Sequence, residues 1–152
     1  MTHTDSADAV IDATPEAVFA ALTDADARAA WLPPTGMTGR FEWFDPRAGG
    51  GYRMVLAYAD TSVVGKSVDN TDVTEVRFTA VEPPHRIVEE VDFVSDDPRF
   101  AGTMTMTWSL EPVATGTRVT VTATDVPDGI SSADHATAFA STLAQLRAYV
   151  RG

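Results

Sequence analysis

A chain of 152 residues, 44% hydrophobic and 22% charged, has the size and balance of one ordinary folded domain; this leaves no room for a second domain and excludes a disordered or fibrous chain. With no cysteine, disulfides, thiolate zinc sites, iron–sulfur clusters and a cysteine nucleophile are excluded together. A net charge of −11, with Lys66 the one lysine among eleven basic residues, repels phosphate backbones and anionic headgroups, so nucleic acid is not an expected partner of this acidic protein.

Met1 to Asp8 is polar and acidic, unlike a secretory signal, and residues 1–7 are expected to fray. No apolar run approaches the roughly 18 residues of a membrane span, so a cytoplasmic location without membrane insertion is expected. Asp8 to Asp12 is a short apolar-centred strand. Thr14-Pro15-Glu16-Ala17 then offers an N-cap threonine, a proline at the first helical position and a first-turn acid, which predicts a helix. After Thr23-Asp24 a second short helix runs to Trp31 and stops at Pro33-Pro34, where the ladder loses its donors.

From Met37 the apolar period changes from helical to alternating, and six strands follow. Phe41 and Trp43 share one face, as do Tyr52, Met54, Leu56 and Tyr58, and Val76, Phe78 and Ala80. Ile87, Val91 and Phe93 line up with Glu89 among them. Met104, Met106, Trp108 and Leu110 oppose a row of threonines and Ser109, and Val119, Val121 and Ala123 repeat the pattern. Six strands with one apolar face each make an antiparallel sheet with a single buried side. Ser131 or Ser132 can cap a final helix with Phe139, Leu143, Leu146 and Val150 on one stripe, and this helix and the one-sided sheet solve each other's burial problem. The fold class is therefore α+β, in the order β-α-α-β6-α, as one domain over residues 1–152.

These elements resemble the START-like, helix-grip superfamily, and within it the activator-of-heat-shock-protein-ATPase-like branch, related to polyketide cyclases and the birch-pollen allergen fold. The resemblance runs over most of the chain. It rests on the opening helix from Pro15 to Thr23, the corner Trp31-Leu32-Pro33-Pro34, the turn Asp45-Pro46-Arg47-Ala48-Gly49-Gly50 leading to Tyr52-Arg53, the proline-rich hairpin from Val81 to Val88, and the helix from His135 through Ala138, Phe139, Leu143 and Leu146 to Tyr149. Where the family usually has Gly-Trp this chain has Ala138-Phe139, so a ligand preference does not carry over. The resemblance implies a curved sheet wrapped around a long C-terminal helix, with a cavity between them.

Gly49-Gly50-Gly51 leads into a strand rather than a helix N-terminus, which marks a turn and not a phosphate cradle. His3, His85 and His135 have no ligand-spaced partners, so neither a metal nor any other cofactor is expected. His3 falls in the frayed terminus, His85 in a hairpin turn, and His135 one helical turn before Phe139. Glu89 shares an apolar strand face, and a carboxylate there must be paired, hydrated or raised in pKa, unless a slipped register or an edge position leaves it in water. Arg53 and Arg77 are candidate counter-ions, although strand alternation directs them to the solvent face. No serine sits in a nucleophile elbow, and the adjacent acids Glu89-Glu90 and Asp96-Asp97 cannot act as a pair within a strand.

The candidate ligand-binding set is Trp31, Tyr52, Met54, Phe78, Glu89, Phe93, Met106, Trp108, His135 and Phe139, lining a cavity for a small hydrophobic or aromatic molecule. Glu89 and His135 are also the catalytic candidates for a cyclase- or isomerase-type reaction, and a third reading is a co-chaperone-like protein-interaction domain. Homodimerisation through a sheet edge or an exposed aromatic is compatible with the sequence.

Overall fold

The computed structural model describes residues 3–34, 36–58 and 71–151. Its elements are β1 (His3–Ile11), α1 (Pro15–Thr23), α2 (Ala25–Trp31), β2 (Met37–Asp45), β3 (Gly51–Tyr58), β4 (Thr71–Glu82), β5 (Arg86–Phe93), a 3-10 turn at Pro98–Phe100, β6 (Thr103–Val113), β7 (Gly116–Val126) and α3 (Ser132–Arg151). The seven strands form one antiparallel sheet in the order β1-β7-β6-β5-β4-β3-β2, so the chain's first strand closes on its last and β2 is the other edge. This is the α+β, helix-grip architecture expected from the sequence.

Local chemistry explains the helix boundaries. The Thr14 hydroxyl accepts from the Ala17 N–H and the Asp24 carboxylate from the Ala27 N–H, so each short helix begins at a side-chain cap. Ser131, rather than Ser132, caps α3: its Oγ accepts from the Asp134 N–H at 3.0 Å. Phe139, Leu143 and Leu146 form the buried stripe of α3, which packs closely on β1, α1 and α2. The Gln145 amide on α3 donates to the carbonyls of Trp31 and Pro33 at 2.6 and 2.7 Å, tying the long helix to the proline corner.

Three sequence expectations are corrected. Residues 3–7 do not fray: they extend β1, with His3 opposite Val126 and Ala7 opposite Val121, because a strand at a sheet edge gains hydrogen bonds whatever its polarity. Trp43 does not share the face of Phe41. A bulge between them turns Trp43 outward, 47% exposed, and brings Phe44 inward to stack on Tyr52. A second irregularity between Phe78 and Ala80 likewise places Val81 against the core, opposite Ile87.

The glycine turn does what its sequence suggested. Gly49 has a φ of +89°, a left-handed conformation that glycine adopts without penalty, and the Phe78 backbone N–H and carbonyl bond to the Gly50 carbonyl and Gly49 N–H. A cis bond joins Pro83 and Pro84 in the β4–β5 turn, where His85 is exposed.

Candidate functional site

The centre of the concave face holds a charged pair. Glu89, 2% exposed on β5, and Arg28, fully buried on α2, meet in a two-pronged contact, with Nη1 to Oε2 at 2.9 Å and Nη2 to Oε1 at 3.1 Å. The Trp108 indole N–H on β6 donates to the same Glu89 Oε1. Both carboxylate oxygens are thereby occupied by donors, and Glu89 is paired rather than slipped into water. Arg53 and Arg77 are not its counter-ions: on the solvent face Arg53 pairs with Glu42 and Glu75, and Arg77 with Glu90 and Asp92.

Aromatic rings enclose the guanidinium. Its carbon lies 5.1 Å from the Tyr52 ring centroid, 5.9 Å from that of Phe78, and 6.0 Å from those of Trp31 and Trp108. Trp31 and Trp108 meet edge to face at 5.9 Å, and the Trp31 N–H is satisfied by the Ala21 carbonyl at 2.9 Å. Burial alone would lower the Arg28 pKa, but the Glu89 charge and hydrogen bonds, with Tyr52, raise it above the ordinary arginine value. Burial and then the Glu89 charge push the Tyr52 hydroxyl well above the usual tyrosine range, so it is a neutral group able to donate. Arg28 Nε, also buried, has no hydrogen-bond partner among the described residues.

Of the ten sequence-derived candidates, Trp31, Tyr52, Phe78, Glu89 and Trp108 come together around Arg28. Met106 pairs with Glu89 across β5 and β6 and is half-buried. Met54 is buried toward β2, where its methyl group would meet a Cβ added at Gly39 at 2.6 Å. Phe93 sits at the far end of β5, 6.1 Å from the Phe100 ring.

His135 and Phe139 form a second group: their rings lie 4.0 Å apart, and His135 Nδ1 is 2.7 Å from Asp5 Oδ2 on β1. His3 Nε2 approaches the same oxygen at 2.9 Å, although its geometry is not that of a hydrogen bond. Burial would raise the Asp5 pKa, but hydrogen bonds from His135 and Ser132 and the His3 charge hold it below 3.8. His135 is therefore engaged with β1. Among the described residues no cluster of three His, Cys, Asp or Glu could hold a metal, and no helix is long and apolar enough to cross a membrane.

Sequence reading missed Arg28. Its signal was available: a carboxylate on an apolar strand face demands a cation, and Arg28 lies three residues before Trp31, on the same helical face.

The sequence model of the family described as activator of Hsp90 ATPase homolog 1-like protein matches residues 12–151. This chain belongs to that family. Among solved structures, this Hsp90-ATPase-activator-like chain is similar to protein CV1439 from Chromobacterium violaceum, with 28% identity, a TM-score of 0.87, and coverage of 98% of this chain and 97% of that one. An AHSA1-like protein from Aeromonas hydrophila, 22% identical, shares the fold with a TM-score of 0.77 over 98% of this chain and 92% of its own. A protein from Rhodobacter sphaeroides does so at 24% identity and a TM-score of 0.79, over 97% of this chain and 91% of its own. No curated protein matches the sequence.

Proposed function

We propose that this Hsp90-ATPase-activator-like protein binds a small hydrophobic or aromatic molecule in the interior between α3 and the concave face of the sheet. One observation carries the reading: a fully buried ion pair sits among four aromatic rings on the inward face. Such a pair is weak evidence for stability, because apolar residues of similar volume often serve as well or better. A polar anchor inside an apolar, ring-lined interior is the usual composition of a small-molecule site.

A proton-transfer reading finds less support. Glu89 has a donor on each oxygen, and His135 is bonded to Asp5 away from the aromatic group. The family name alone is the ground for a chaperone-linked role.

The test is native mass spectrometry of the purified protein, extraction of any co-purifying compound, and a thermal-shift screen of lipids, polyketides and aromatics. A bound or stabilising apolar compound is expected, with affinity lost in folded Trp108→Ala. An empty protein stabilised by none of them would overturn the reading.

A further inference from the structure

Within the interior, the hydrogen-bond inventory is unbalanced in one direction. Glu89 offers two oxygens and both are used: Oε2 by Arg28 Nη1, Oε1 by Arg28 Nη2 and by the Trp108 indole. Arg28 has five N–H bonds in a rigid fork: each Nη gives one to Glu89, the Tyr52 hydroxyl is a further hydrogen-bonding neighbour of the guanidinium, and Nε is the nitrogen left over. That atom is buried and has no acceptor among the described residues, although the large majority of buried side-chain polar atoms find a partner. A buried donor without an acceptor is costly, and a ligand that supplies one recovers that cost on binding.

The charge balance narrows the choice of acceptor. Arg28 and Glu89 cancel, and the Tyr52 hydroxyl is neutral, so the group has no net charge to offer an ion. A carboxylate or phosphate placed there would be a desolvated charge without a counter-ion of its own, and an ammonium would add a donor where donors are already in excess. The surrounding Trp31, Tyr52, Phe78 and Trp108 rings favour an apolar, flat body next to the acceptor.

We propose that Arg28 Nε is the polar docking point of the ligand site, and that the ligand is an uncharged apolar or aromatic compound bearing a carbonyl, ester or ether oxygen that accepts from it. This rests on the binding reading above. It adds what that reading leaves open, the polar chemistry of the ligand and the atom that reads it.

The side-chain Nε–H of arginine gives its own cross-peak in nitrogen–proton correlation spectra, so the unmutated protein can be used and no variant of a buried residue has to fold. Three shape-matched probes are titrated: ethylnaphthalene, acetylnaphthalene and naphthoate. The ketone is expected to bind about tenfold or more tightly than the hydrocarbon, and more tightly than the acid, and to displace the Arg28 Nε–H peak while the hydrocarbon leaves it in place. Equal affinities with an unmoved peak would overturn the docking point while leaving an apolar site intact. Tightest binding by naphthoate would overturn the uncharged class. A peak that shows a persistent water contact in every complex would assign Nε to a structural water and overturn the proposal. Binding of none of the three, together with an empty screen, would remove the site itself and this inference with it.

Discussion

Removing one member of the Arg28–Glu89 pair should be far more damaging than removing both. In Glu89→Leu the guanidinium loses both of its partnered nitrogens, and the Trp108 indole loses its acceptor, all in a region with less than 3% exposure at each residue. In Arg28→Met the carboxylate keeps the Trp108 indole and the neighbouring Tyr52 hydroxyl but loses its counter-ion. Breaking a buried pair from one side costs about 3–5 kcal/mol, which for a chain of this length lowers Tm by roughly 6–20 °C. The double variant Arg28→Met/Glu89→Leu leaves the indole N–H and the Tyr52 hydroxyl without these partners but replaces the charges by apolar volume, so it is expected within about 2 kcal/mol of the unmutated protein. Urea unfolding followed by tryptophan fluorescence gives all four corners of the cycle. If the double variant is as unstable as the two single losses added together, the residues do not act as a pair. If either single variant loses less than about 1 kcal/mol, the pair is not desolvated as described.

Other features can be checked as directly. Because the Asp5 carboxyl is held below the ordinary aspartate value of 3.8, its contribution is fully present above that value and is lost as pH falls through the lower folded value; the stability gap between the unmutated chain and Asp5→Asn should therefore be constant well above pH 3.8, shrink below it and close once pH has passed the folded value. A gap that persists at lower pH would refute the assignment. Trp43→Phe should remove the readily quenched component of acrylamide-quenched fluorescence while changing stability by less than about 0.5 kcal/mol, since the bulge puts Trp43 outside and Trp31 and Trp108 are each 1% exposed. Gly51→Ala should destabilise by about 1–3 kcal/mol in thermal or urea unfolding, because its Cβ would press on the Val76 carbonyl oxygen; Gly36→Ala, where nothing lies within 4 Å of the added carbon, should show only the smaller strain of its φ of +87°.

The strands were legible because one face of each is apolar and the other polar, a pattern that survives without knowledge of any partner strand. The two irregularities were not, since a bulge inserts a residue without changing composition: Phe41, Trp43 and Phe44 read equally well with either aromatic inward. β1 is longer than its apolar pattern predicts for a related reason, as its half from His3 to Ala7 is held by backbone pairing with β7 and by Asp5 bonding to His135, not by an apolar face. Glu89 was visible as an anomaly on a greasy strand, but its partner lies 61 residues earlier on a helix from a different layer, a juxtaposition that only the tertiary fold creates. The arginines near Glu89 in the sheet, Arg53 and Arg77, belong to the outer face for the same alternation that puts Glu89 on the inner one.

The Arg28–Glu89 contact also constrains how this chain can diverge. Neither position can change alone without leaving a charge stranded, so the two behave as one unit of inheritance, exchanged together or reached through a partner that can be neutralised first. Outer-face arginines such as Arg77, half exposed and shared between Glu90 and Asp92, carry no such restriction and are free to drift one at a time. Descendants that keep a carboxylate at 89 opposite an apolar residue at 28 should therefore be rare, and where they occur another cation should have moved into the interior.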